Sequence, residues 1–184
     1  MSKTALLVID VQQGLCEGEG HAWESSAVIN RINAVADRAR DAGVPVIFIQ
    51  HESWSGYLER GTPAWALAHG LRCTNSDHFV RKTTPDAFNK TDLQSLLESL
   101  AVRTLTICGM HTEFCIDTTV RRSLSLGFPV TLIADAHTSA GNSVLSAQQV
   151  IAHHNETLTN ITSFGPQVTT VAEENLQFHA TATC

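Results

Sequence analysis

The chain has 184 residues, of which 43% are hydrophobic and 16% charged, with a formal net charge of −6. That length suffices for one compact domain that buries roughly two-thirds of its unfolded surface without covalent staples. The acidic balance argues against an electrostatic grip on nucleic acid or an anionic membrane, because no cluster of Lys and Arg exists to neutralise phosphates.

The first apolar run, within MSKTALLVIDVQQ, is short and interrupted by Asp10, so it reads as neither a signal peptide nor a membrane span. Residues 5–10 instead suit a strand covered on both faces. Residues 26–42 predict a helix, with Val28, Ile29, Ile32, Val35, Ala36 and Ala39 on one face, closed by Gly43. A second buried strand is expected over 44–50. Residues 51–76 have no clear period and hold Trp54, Tyr57 and Trp65, as expected of a long functional loop. A short strand over 77–82 follows, then a helix over 92–100 with Thr91 as its N-cap. Residues 103–109 read as a strand, 113–126 as a helix ending at Gly127, 128–135 as a strand and 143–154 as a helix. A last strand or short helix lies within 161–177, and the tail after about 178 is expected to fray.

Strands alternating with helices imply an α/β fold: a mostly parallel central sheet with helices on both faces and ligands at the C-terminal strand ends. No linker or repeat breaks the chain, so residues 1–184 read as a single domain. Five cysteines at unpaired spacings argue against a disulfide framework or zinc site and for a reducing, cytoplasmic setting. No phosphate-binding glycine motif occurs, and no cofactor is expected.

Three groups fall just after predicted strands: Asp10, Lys82 and Cys115. Thr112 is placed to cap the helix that follows, which would put Cys115 in its first turn. Free N–H groups and the helix dipole lower a thiol's pKa there and suit a developing oxyanion. The competing reading makes Cys115 another buried cysteine, like Cys108. A carboxylate ending a buried strand needs a partner, and Lys82 suits that role; Asp10 and Lys82 also fit a purely structural pair. If the three converge, Asp10 accepts the thiol proton, Lys82 pairs with Asp10 and helps hold the thiolate, and Cys115 attacks.

VIDVQ with Asp10, Lys82 followed by ProAspAlaPhe at 85–88, and Gly-x-x-Thr-x-x-Cys over 109–115 resemble the isochorismatase-like cysteine hydrolase family. The likeness extends through DTTVRRSLSLGFPVTLIADAHTS (117–139) and covers residues 4 to about 155. The resemblance implies a three-layer α/β/α Rossmann-like fold, a covalent thioester and hydrolysis of an amide-like C–N bond. It also implies a cis peptide between Met110 and His111 that aims the His111 N–H, with that of Cys115, at one oxyanion. Dimers or larger homo-oligomers are expected on the same ground.

Departures narrow the expectation. Nicotinamidases of the family carry an Asp-x-His metal motif after the second strand; here the stretch is Ile49-Gln50-His51, and Ile49 cannot ligate. His51, Glu52, His69 and His78 offer only scattered ligands, so a metal-free site is expected. His111 stands where a small residue is common. Gln12, Leu15, Trp54, Phe88 and Phe114 are candidate pocket residues, each with core packing as the alternative. The expected function is cysteine-dependent hydrolysis of a small-molecule amide. The rivals are vinyl-ether hydrolysis using Asp10, which needs no cysteine nucleophile, and a catalytically silent binding protein.

Overall fold

A computed structural model of the chain describes residues 3–18 and 20–178; the expected fraying beyond 178 lies outside the described residues. Six strands form one sheet: β1 (Lys3–Ile9), β2 (Val46–His51), β3 (His78–Lys82), β4 (Val102–Met110), β5 (Val130–Thr138) and β6 (Val168–Val171). Their order is β3-β2-β1-β4-β5-β6, and every pairing is parallel.

The strand sequences explain the layering. Leu6 and Val8 of β1 pack on one face with Val28, Ile32, Val35 and Ala39 of α2 (Ser25–Asp41). Ala5, Leu7 and Ile9 pack on the other face with Leu93 and Leu97 of α3 (Leu93–Ser99), Val120 and Leu124 of α4 (Asp117–Ser125), and Leu158 of α5 (Ala147–Thr159). Side chains alternate across a strand, so one covered on both sides reads as an unbroken apolar run. A one-turn helix, α1 (Gln13–Cys16), follows β1. Among the described residues no helix is long and apolar enough to cross a membrane.

Several boundaries differ from the sequence reading, and side-chain hydrogen bonds account for two of them. The helix expected at 143 starts at Ala147, because Asn142 Oδ1 takes the N–H groups of Val144 and Leu145 in a turn. Ser146 then caps the helix in a reciprocal box with Gln149, which satisfies two otherwise orphaned donors. At α3 the N-cap position is Asp92, not Thr91; the Thr91 hydroxyl accepts from Leu93 N–H at 3.3 Å and donates to the Ala87 carbonyl at 2.6 Å. The helix expected over 113–126 is a π turn, Thr112–Ile116, followed by α4. The region 161–177 holds both β6 and a 3₁₀ turn, Glu173–Asn175.

From β1 the chain runs outward to β2 and β3, then returns to place β4 on β1's other side. The crevice at such a reversal, beyond the carboxyl ends of the strands, is where open parallel sheets bind ligands. β1 and β4 touch there by backbone alone: Gly109 has φ of +123°, and a Cβ on it would lie 2.0 Å from the Ile9 carbonyl oxygen. No side chain is tolerated at that separation.

Candidate active site

Four strand ends supply the polar groups at this edge. Asp10 follows β1 in the left-handed region at φ +52°, a conformation that Asp tolerates better than most residues. Its N–H donates to the Ile49 carbonyl at 2.8 Å, and its own carbonyl accepts from Gln12 N–H at 2.9 Å. His51 ends β2 and is paired with Lys82, which ends β3. Cys115 lies in the π turn after β4.

The Lys82 ammonium is the hub. It lies within hydrogen-bond reach of four acceptors: Asp10 Oδ2 at 2.6 Å, the Thr84 carbonyl at 3.1 Å, His51 Nδ1 at 3.2 Å and Cys115 Sγ at 3.2 Å. The side chains of Asp10 and Lys82 are 0% exposed, whereas Cys115 is half-buried. Asp10 Oδ1 is buried without a hydrogen-bond partner among the described residues. An oxygen of Asp10, a ring nitrogen of His51 and the sulfur of Cys115 lie within 4.8 Å of one another. The ammonium contacts all three, so a metal ion held by that trio would have to displace it. Glu52 instead faces Arg60 and Arg81, His69 pairs with Glu17, and His78 starts β3 at the opposite end of the strand from Lys82.

The thiol is not a preformed thiolate. Burial and the Asp10 carboxylate push Cys115 up to about 12, against the downward pull of Lys82. This overturns the expectation that a helix start lowers it: five residues of π turn precede α4, and desolvation disfavours the anion. The rate of Cys115 alkylation by iodoacetamide, followed by peptide mass spectrometry, is therefore expected to keep rising above pH 9. A plateau below pH 8 would contradict this.

The Met110–His111 peptide is cis. The His111 carbonyl accepts from the N–H groups of Phe114 at 3.1 Å and Ile116 at 3.2 Å, on either side of Cys115. Thr112 does not cap: His111 holds the N-cap position, and the Thr112 hydroxyl bonds His137 Nδ1 at 2.8 Å. His137 Nε2 meets Asn155 Oδ1 at 3.0 Å, and Asn155 Nδ2 donates to the Ala134 carbonyl at 3.0 Å. With the amide oriented by Ala134, the chain of donors assigns the proton to Nε2, and Thr112 must donate to Nδ1.

Burial pushes His137 down to about 4. The unfolded chain takes this proton near the ordinary value of 6.5 and so binds more protons than the native state between those limits. Stability is therefore expected to fall as pH drops from 6.5 toward 4, by about 3 kcal/mol from this group. Burial lowers His51 and His111 too, in the same direction. Urea unfolding at pH 7 and 4.5 measures the loss, and His137→Gln should reduce it; an unchanged pH dependence in that variant would refute the assignment.

The candidate pocket residues fall in different surroundings. Gln12 is a buried clamp: its Oε1 accepts from His51 N–H at 2.8 Å, and its Nε2 donates to the carbonyls of His51 at 3.0 Å and Trp65 at 2.8 Å. Leu15 and Phe88 are core residues, Leu15 on the α2 side and Phe88 stacked on Phe128. Trp54 is 92% and Phe114 57% exposed. His51 was missed as a member of the site, although its position at the end of a predicted strand was a usable signal.

Fold and site together define a three-layer α/β protein with one half-buried thiol at the switch point of its sheet, in contact with a buried ion pair. The profile of the Isochorismatase domain matches residues 4–173, and the chain belongs to the isochorismatase family. A streptothricin hydrolase of Streptomyces noursei is 37% identical over 134 residues, covering 72% of this chain and 49% of that protein. Nicotinamidase 3 of Arabidopsis thaliana is 31% identical over 147 residues, covering 72% of this chain and 71% of its own length. A crystal structure of an isochorismatase family protein superposes with a TM-score of 0.83 at 35% identity, covering 92% of this chain and 98% of the other. The chain spans about half the length of the two streptothricin hydrolases it matches.

Proposed function

We propose that this protein hydrolyses a small, non-peptide amide-like C–N bond through a thioester at Cys115, with Asp10 as general base and Lys82 as the partner of both. The observation that carries the reading is the ammonium in contact with Oδ2 of Asp10 and the sulfur of Cys115. The unpartnered Oδ1 of Asp10 supports it, since a buried acceptor without a donor suits a group that must receive a proton. Relatives bearing the names nicotinamidase and streptothricin hydrolase supply the substrate class.

Because the resting thiol is protonated, proton transfer accompanies attack. Asp10 takes the S–H proton as sulfur bonds to the substrate's carbonyl carbon, and the carbonyl π electrons move onto oxygen. Backbone N–H groups of His111 and Cys115 receive that oxyanion. The oxyanion collapses, the C–N bond breaks, and the leaving nitrogen takes the proton from Asp10. Water then gives a proton to Asp10 and its oxygen to the thioester carbonyl, and the departing sulfur recovers the proton. Lys82 remains positive throughout and stabilises the anion as it passes between carboxylate and sulfur.

The test is intact-mass spectrometry during turnover of a panel of small carboxamides and lactams. The expected product is an acyl adduct localised to Cys115 that decays with release of ammonia or amine. Turnover without any adduct, even after acid quench, would count against the thioester.

A further inference from the structure

Lys82 has more acceptors than hydrogens. An ammonium offers three N–H groups, yet four atoms stand within reach: Asp10 Oδ2, Thr84 O, His51 Nδ1 and Cys115 Sγ. Asp10 is nearest and charged, and the Thr84 carbonyl lies two residues along the chain. The imidazole nitrogen and the sulfur, both at 3.2 Å, are left to share one hydrogen. A neutral thiol is a weak acceptor, so the imidazole holds it at rest; a thiolate carries charge and accepts far more strongly.

We propose that His51 is a positioning residue that competes with Cys115 for the third hydrogen of Lys82, yielding it to sulfur as the thiolate forms. The inference rests on the cysteine chemistry proposed above. It assigns a role to an imidazole whose backbone is pinned on both sides, N–H and C=O, by the single side chain of Gln12. Placement of that kind aims a side chain, and Gln12 in turn is anchored by its second bond to the Trp65 carbonyl. The charged and titratable groups facing His51 are Lys82, Asp10 and Glu52; those facing Cys115 are Asp10 and Lys82. Accepting at Nδ1 requires the neutral tautomer with its proton on Nε2.

The experiment is the pH dependence of Cys115 alkylation by iodoacetamide. Without the competing acceptor, His51→Leu should leave the third hydrogen on sulfur and move the midpoint of the profile down by about one pH unit. His51→Asn, whose Oδ1 can stand in for Nδ1, should restore the wild-type profile. In a Lys82→Met background, His51→Leu should add no shift. An unchanged profile in His51→Leu, or a shift that survives Lys82→Met, overturns the inference. The wild-type protein gives a second readout: ¹⁵N NMR of His51 should report the Nε2–H tautomer, and an Nδ1–H tautomer would refute the assignment. Failure of the cysteine chemistry itself appears separately, as retained turnover in Cys115→Ala.

Discussion

Cys115→Ala is expected to lower turnover of any amide that the wild-type protein hydrolyses by at least about 10⁴-fold, since no other group at the site can form the thioester. The fold should survive. The sulfur is half-buried at the margin of the cluster around Leu7, Ile9 and Ile116, so its removal creates little cavity, and the melting temperature should change by only a few degrees. The comparison to make is steady-state kcat of both proteins at matched folded fraction. Cleavage of a vinyl-ether substrate by Cys115→Ala but not by Asp10→Ala would move the assignment to proton-initiated vinyl-ether hydrolysis. No turnover in the wild type, with no acyl adduct at Cys115 from any of the carboxamides or lactams, would mark a silent binding protein.

Lys82→Met should be the most destabilising single change at the site. It leaves the Asp10 carboxylate without its cation in surroundings that water does not reach, and breaking one half of a buried pair costs about 3–5 kcal/mol. In a chain of this size that corresponds to a fall of about 10 °C in Tm. Asp10→Asn should likewise abolish turnover, because an amide cannot take the thiol proton. The double variant Asp10→Asn/Lys82→Met should recover much of the stability lost in Lys82→Met while remaining inactive, since a neutral pair leaves no buried charge unpaired. Thermal melts of the four proteins measure the coupling. Equal Tm for Lys82→Met and wild type would show that the ion pair carries no structural weight.

How legible the molecule is in its sequence depends on whether a signal is local. The runs in β1, β2 and β4 announce themselves because both faces are covered, and α2 announces itself by its single apolar face. Asp10, Lys82 and Cys115 stand out because a charged or reactive group just past a buried strand needs a reason to be there. The remaining members depend on register and on competition between partners. His51 reaches Lys82 only because β2 and β3 pair with those two residues side by side. Thr112 has the right chemistry to cap a helix, but the imidazole of His137, 25 residues further on, takes its hydroxyl instead. Gln12, a candidate pocket residue by sequence, has its polar atoms spent on the backbone of His51 and Trp65. Leu15 and Phe88 are buried in the core clusters, because an apolar side chain near a strand end serves the core as readily as a pocket.

The bare backbone contact between Gly109 and Ile9 bears on how such a protein can diversify. It is a weld one residue before Asp10 and two before His111, and it fixes the spacing between the base and the start of the cysteine-bearing turn. Exposed side chains outside that weld, such as Trp54 and Phe114, can be exchanged without moving it. A designer seeking a new substrate should therefore vary such exposed positions, keep Trp65 and Ser146, whose backbone and side chain hold Gln12 and α5 in place, and leave position 109 as glycine, where even a methyl group would pry base and nucleophile apart.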